Sequence, residues 1–156
     1  EIEACMYAGG DKMEDGRIKP WSDFKSSEWL TESIFAIKQD VKLLDQYILE
    51  KGSESMKIAL DKNNVHSNEI NDFLPHVSSH YFVKGLHKSL AERGMDIPME
   101  KWFMNLKTVG NIGAASIYLM LEELMYSGKL KKGNKVLLSV PESGRFSYAY
   151  TYLTVC

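Results

Sequence analysis

Two short segments hold the residues whose types and spacing fit chemistry: Asp72-Phe73-Leu74-Pro75-His76 and Val109-Gly110-Asn111-Ile112-Gly113-Ala114-Ala115-Ser116. Each sets one polar residue at the end of an apolar run. A His just past a hydrophobic strand, and an Asn just before a helix that opens with small residues, are two hydrogen-bond donors that a fold can aim at one point. Such a pair suits an enolate or oxyanion hole, where N–H donors meet negative charge as it develops. One donor of this kind is worth about 3 to 4 kcal/mol of barrier. The imidazole can also accept or donate a proton near neutrality, which Lys or Gln does not do in the same way. Each residue has a plainer reading: His76 as a core histidine bonded to a backbone carbonyl, and Asn111 as a helix cap.

Other chemistry-bearing residues form weaker patterns. His76 and His80 have the four-residue spacing of a helical metal pair and His87 lies two turns on. No Cys or supporting acid completes a zinc site, so neither a metal nor a cofactor is expected. Cys5 and Cys156 sit at opposite ends, and no signal peptide or 18-residue apolar run appears. A reducing, cytoplasmic setting without membrane association is expected. Ala4-Cys5-Met6 leads into a Gly/Asp-rich loop and not a helix, so Cys5 reads as a strand cysteine acting as a small hydrophobe. Tyr148, Tyr150 and Tyr152 alternate as one face of a strand. Lys84, Lys88, Lys129, Lys131 and Lys132 are either solvated, the default, or a basic rim for an anionic partner.

The elements that must position these residues are legible from periodicity. Cys5 to Ala8 reads as a short strand entering the turn-rich stretch Gly9 to Gly16, and the loop runs on to about Phe24. From Ser27 to Glu50, Leu30, Ile34, Ile37, Val41, Leu44 and Ile48 recur at spacings of three and four, the pattern of an amphipathic helix ended by Lys51-Gly52. A second helix is expected over Ser53 to Lys62, then a polar turn at Val65 to Asn68 and a short buried strand at Ile70 to Leu74. Tyr81, Phe82, Leu86 and Leu90 predict a helix reaching Glu92, closed by Arg93-Gly94. Trp102 to Leu106 reads as a strand, Gly113 to Tyr126 as a mostly apolar helix stopped by Ser127-Gly128, and Lys135 to Val140 and Tyr148 to Cys156 as β-runs. The alternation predicts a layered α/β domain with crossover connections.

At 156 residues the chain suits one domain, with an irregular lead-in over 1–26 and the main α/β body over 27–156. A domain of this size buries roughly 70% of the surface its unfolded form exposes. Composition is 44% hydrophobic and 26% charged, and a formal net charge of -2 argues against a general polyanion binder. Nucleic acid is therefore not an expected partner. The chain opens at Glu1 without a Met and closes inside a β-rich run, so it is expected to be part of a longer polypeptide.

Four stretches in order carry a resemblance: Leu74-Pro75-His76, Gly110-Asn111-Ile112-Gly113-Ala114-Ala115-Ser116-Ile117, Leu121-Glu122-Glu123 and the run from Ser127 to Leu138. Together they resemble the C-terminal half of β-ketoacyl-acyl-carrier-protein synthase III from about Ile70 onward. The Gly-Asn-x-x-Ala-Ala-Ser element combined with the Pro-His element is the specific part. The resemblance implies a thiolase fold, which has two similar halves and an active site at their junction. This chain is then the second half, a layered α/β unit with helices packed on a mixed β-sheet.

In that family a Cys nucleophile from the first half takes an acyl group from a thioester, while a His and an Asn from the second half promote decarboxylation of a malonyl thioester. By motif position these are His76 and Asn111, with no nucleophile in this chain. The implied activity of the full protein is that of a 3-oxoacyl-acyl-carrier-protein synthase III-type acyltransferase. It performs decarboxylative Claisen condensation in fatty-acid or polyketide-like biosynthesis, and this chain alone is expected to be inactive. Acyl carrier protein or coenzyme A thioesters, the first half of the same enzyme and a second copy in a homodimer are the implied partners. Where the family often has Gln-Ala-Asn-x-Arg-Ile after its His, this chain has Val77-Ser78-Ser79-His80-Tyr81-Phe82, so Tyr81 replaces the carrier-docking Arg. Lys84 and Lys88 become docking candidates. The family's Gly-rich oxyanion loop corresponds to Pro141-Glu142-Ser143-Gly144-Arg145-Phe146, making the backbone of Ser143 and Gly144 the donor candidates. Two alternatives are a thiolase-fold acyltransferase using His76 as general base, and a non-catalytic carrier-binding or dimerisation module.

Overall fold

A computed structural model describes residues 5–156, and its contacts divide the chain into a smaller unit, up to Tyr47 with Glu142–Ser147, and a larger one, Ile48–Pro141 with Tyr148–Cys156. The smaller unit contains β1 (Met6–Tyr7), β2 (Gly10–Lys12), β3 (Ile18–Pro20), the single helical turn α1 (Glu28–Thr31) and β4 (Lys38–Gln39). β1 pairs antiparallel with β4 and β2 with β3. At Gly10 the β2 backbone approaches β3 so closely that a Cβ would lie 2.4 Å from the Lys19 carbonyl oxygen, which excludes a larger residue. Ile34 and Cys5 are fully buried here, and Trp29 meets Trp21 and Phe35 edge-on with ring centroids 5.7 and 5.6 Å apart, while Trp21 and Phe35 are tilted at 6.2 Å.

The helix expected over Ser27 to Glu50 is not continuous. Ser33 adopts a positive φ of 49°, and Lys38–Gln39 extends to pair with β1. The apolar residues that suggested one helical face then separate: Ile34 is buried while Leu30, Ile37 and Val41 are exposed. The long helix α2 begins later, at Val41, where Asp40 Oδ1 accepts the Leu43 N–H at 3.0 Å as an N-cap, and it runs to Lys62. It passes through Gly52, which therefore does not end a helix.

The larger unit explains that glycine. Mid-helix Gly costs about 1 kcal/mol relative to Ala, but here a Cβ would meet Tyr148 Cε1 at 2.9 Å. Its strands are β5 (Asp72–Pro75), β6 (Lys135–Glu142) and β7 (Ser147–Thr154), in the order β5-β6-β7, with helices α3 (Tyr81–Ala91), α4 (Leu106–Val109) and α5 (Ser116–Tyr126). β5 and β6 are parallel, with Phe73 opposite Leu137 and Leu74 opposite Leu138. Phe73, Leu74, Val136, Leu137 and Leu138 are all buried, the near-continuous apolar run of a sheet covered on both faces.

Because side chains alternate along a strand, the sheet sorts its core into two clusters. Phe73 and Leu137 pack with Met56 and Leu60 of α2 and Val83 and Leu90 of α3. Leu74, Val136 and Leu138 pack with Ile117, Met120 and Leu124 of α5. The result is helix, sheet, helix, as the α/β expectation required. The tyrosine alternation of β7 serves this packing: Tyr148 Oη donates to the Ile48 carbonyl at 2.9 Å and Tyr150 Oη to that of Gly52 at 2.8 Å. Burial pushes the Tyr150 hydroxyl up to about 12. The strand expected over Trp102 to Leu106 is reduced to one bridge, Trp102 beside Phe73, plus the Phe103 N–H donated to the Phe73 carbonyl at 2.8 Å. The chain then turns into α4, because Asn105 O accepts the N–H groups of Thr108 and Val109.

Candidate active site

His76 leaves β5 through Pro75, which has no backbone N–H of its own to give to the ladder. The His76 N–H donates to the Ser139 carbonyl at 2.8 Å, which keeps the residue pinned to β6. The imidazole is half-buried, and burial pushes it below its ordinary value of 6.5. At neutral pH it is uncharged, with one N–H donor and one acceptor nitrogen.

Asn111 arrives on a separate loop. α4 stops at Gly110, whose φ of +79° suits glycine. Asn111 Oδ1 then accepts the Gly113 N–H at 3.0 Å, an Asx turn made while Gly113 itself holds φ +65°. That bond sets the orientation of the amide. Its oxygen is engaged, and Nδ2, on an exposed residue, has no partner among the described residues.

A narrow cleft lined by His76, Asn105, Gly110 and Ser116, with Met104 and Met120 as apolar walls, brings His76 beside both ends of the Asn111 loop. Asn111 is the residue after Gly110, exposed and outside that lining. Asn105 was not singled out from the sequence. It is buried and donates Nδ2 to Glu123 Oε2 at 2.7 Å. The available signal was one amide interrupting the apolar run Trp102-Phe103-Met104.

Ser143 and Gly144 belong to the smaller unit. Gly144 N–H, expected as an oxyanion donor, is engaged by the Glu142 carboxylate, which also accepts the Arg145 N–H at 3.1 Å. Glu142 lies two residues before Gly144, so its side chain folds back on the turn. Ser143 Oγ accepts from Gln39 Nε2 at 3.3 Å. In the same unit Cys5 is fully buried and its thiol donates to the Asp40 carbonyl at 3.3 Å. Burial, then the Asp40 charge, push the thiol up and disfavour thiolate.

Lys84 and Lys88 are exposed one turn apart on α3, with Lys88 Nζ 3.7 Å from the Glu92 carboxylate. Lys129 lies over the Phe103 ring at 5.4 Å, and Lys131 and Lys132 are exposed. His80 is exposed at the start of α3, whereas His87 sits against Trp102 with Nε2 3.8 Å from Asp96. Among the described residues no three His, Cys, Asp or Glu side chains gather as a metal site. No helix among them is long and apolar enough to cross a membrane.

This arrangement has relatives. Residues 60–151 match the family described as 3-oxoacyl-[acyl-carrier-protein (ACP)] synthase III C terminal. The chain is 30% identical over 119 residues to a β-ketoacyl-[acyl-carrier-protein] synthase III of Koribacter versatilis, covering 76% of this chain and 34% of that protein. With the enzyme of the same name from Aquifex aeolicus it shares 33% over 109 residues, 63% of this chain and 34% of the relative. The crystal structure of 3-oxoacyl-(acyl carrier protein) synthase III from Pseudomonas aeruginosa superposes with a TM-score of 0.63 at 23% identity, covering 83% of this chain and 38% of that one. The fold is thus thiolase-like. The chain spans about a third of the length of the curated relatives it matches. With a family match over more than half its residues, it belongs to the C-terminal family of the 3-oxoacyl-acyl-carrier-protein synthases III.

Proposed function

We propose that this chain is the second half of a decarboxylating condensing enzyme, in which His76 and Asn111 stabilise the enolate formed from a malonyl thioester. The observation that carries the reading is the Asn111 amide: its oxygen is held by Gly113, its Nδ2 is free to donate, and it adjoins a cleft lined by the neutral His76. Loss of carbon dioxide leaves the electron pair of the broken C–C bond on the thioester enolate oxygen, where two N–H donors meet it. The enolate carbon then attacks the acyl group held on a Cys of the first half, forming a C–C bond as the thiolate leaves. A donor already oriented by a turn needs no reorganisation as charge develops.

The partners under this reading are acyl carrier protein or coenzyme A thioesters, docked against Lys84 and Lys88, and the first half of the same polypeptide, with the complete enzyme a homodimer. The experiment uses the polypeptide that carries both halves. His76→Ala and Asn111→Ala are each expected to cut carbon dioxide release from the malonyl thioester by about a hundredfold or more while acyl transfer to the nucleophile persists. Loss of acyl transfer with normal decarboxylation overturns the assignment. An acyl ester or amide product with no carbon dioxide release identifies the acyltransferase alternative, with His76 as base. Carrier binding with no turnover that responds to His76 identifies the binding module.

A further inference from the structure

We propose that Ser116 is a positioning residue for Asn111, acting with an Asn105–Glu123 anchor at the other end of the same loop; the inference rests on the condensing reading above. From Asn111 to Ala115 every residue is exposed, so packing does not hold this stretch. Side-chain hydrogen bonds do. Ser116 is only 5% exposed, and its Oγ accepts the Ile112 N–H at 3.1 Å. That N–H belongs to the peptide unit joining Asn111 to Ile112, so the bond fixes the plane from which Asn111 departs.

The opposite end is tied in the same manner. Asn105 is 7% exposed; its Nδ2 holds Glu123 of α5 at 2.7 Å and its carbonyl takes the N–H groups of Thr108 and Val109. Ser116 and Asn105 both also line the cleft with His76. The two buried polar side chains therefore reference the loop to the walls of the His76 cleft. The Asx turn orients the Asn111 amide only relative to Gly113, and the two anchors supply its placement relative to His76. A shift of about 1 Å in such a group costs about a hundredfold in rate.

The polypeptide with both halves is assayed separately for acyl transfer and for malonyl decarboxylation. Ser116→Ala removes the acceptor and is expected to lower decarboxylation by about tenfold or more with acyl transfer retained. Ser116→Thr keeps the oxygen and is expected to recover most of the loss. Glu123→Ala, at an exposed carboxylate, is expected to give a smaller loss confined to the same step. If Asn111→Ala abolishes decarboxylation while Ser116→Ala and Glu123→Ala leave it unchanged, the positioning role is overturned and the site reading stands. If Asn111→Ala itself has no effect, the site reading falls first. Should both Ser116 variants lower the two steps together, Glu123→Ala decides: a loss confined to decarboxylation upholds the clamp, and its absence overturns it.

Discussion

On one face of the β5–β6–β7 sheet, Phe73 and Leu137 lie under α2 and α3, and polar groups close the layer: Ser53 Oγ meets Ser89 Oγ at 2.7 Å, Trp102 Nε1 donates to the Ile97 carbonyl at 2.9 Å, and two β7 tyrosines bond to α2 carbonyls. On the other face α5 buries Ile117, Met120 and Leu124 but leaves Tyr118, Met125 and Tyr126 at 71%, 60% and 85% exposure, and the loop before it is bare. The contrast separates scaffold from site. The first face is closed by contacts that tolerate little change, including α2 against α3 at Gly85, where a Cβ would reach Leu49 Cδ1 at 2.5 Å. The second holds the candidate site on few contacts, so substitutions there are expected to change stability little.

The largest effect is expected for Phe73→Ala, which removes a fully buried ring stacked edge-on with Trp102 at 4.9 Å. A loss of about 3 to 5 kcal/mol is expected in denaturant unfolding of the 156-residue chain; a loss under about 1 kcal/mol would deny that this face is the scaffold. Asn111→Asp on the other face retains an acceptor for Gly113 but no N–H. It should lower decarboxylation in the two-half polypeptide by about a hundredfold with an unfolding midpoint close to that of the parent. A full-rate Asp variant would remove the donor role.

Gly52→Ala is expected to cost about 1 kcal/mol net, since overpacking against Tyr148 by about 1 to 3 kcal/mol exceeds the helix gain of about 1; a stabilised variant would show that Tyr148 moves freely. His76 adds a pH dependence with a definite sign. Burial lowers its folded-state pKa below 6.5, so between that lowered value and 6.5 the unfolded chain binds more protons. Its contribution to stability is complete above 6.5 and declines as pH falls toward the folded value. An NMR titration placing the His76 midpoint above 6.5 would contradict the burial seen here. The smallest change is expected for Tyr126→Ser, within about 0.5 kcal/mol in this chain; a larger loss would mean that the α5 surface is already covered.

Much of the α/β order was legible because period and punctuation agree. β5, α3, α5, β6 and β7 fall within a few residues of the stretches read from alternation and helical spacing, and Gly94 and Gly128 follow α3 and α5 with positive φ, where helix ends were expected. The reading failed where two signals competed. Leu30, Ile34 and Ile37 kept helical spacing, yet strand pairing by Lys38–Gln39 and the turn at Ser33 prevailed. At Gly52 a local breaker gave way to a tertiary contact, because Tyr148 occupies the space a side chain would need.

For the candidate site, residue types and local spacing were enough to put His76 and Asn111 forward, since a Pro-His after an apolar strand and a Gly-Asn before small residues are local patterns. The Asx turn at Asn111 is local too. Asn105 beside Glu123 and the shared lining of Ser116 with His76 were decided by the folded chain. The physical reason is that burial, and hence the cost of an unpaired polar group and the lowering of the His76 pKa, depends on which distant segments pack together. Periodicity records which side of an element is apolar; it carries no record of which buried amide faces which carboxylate.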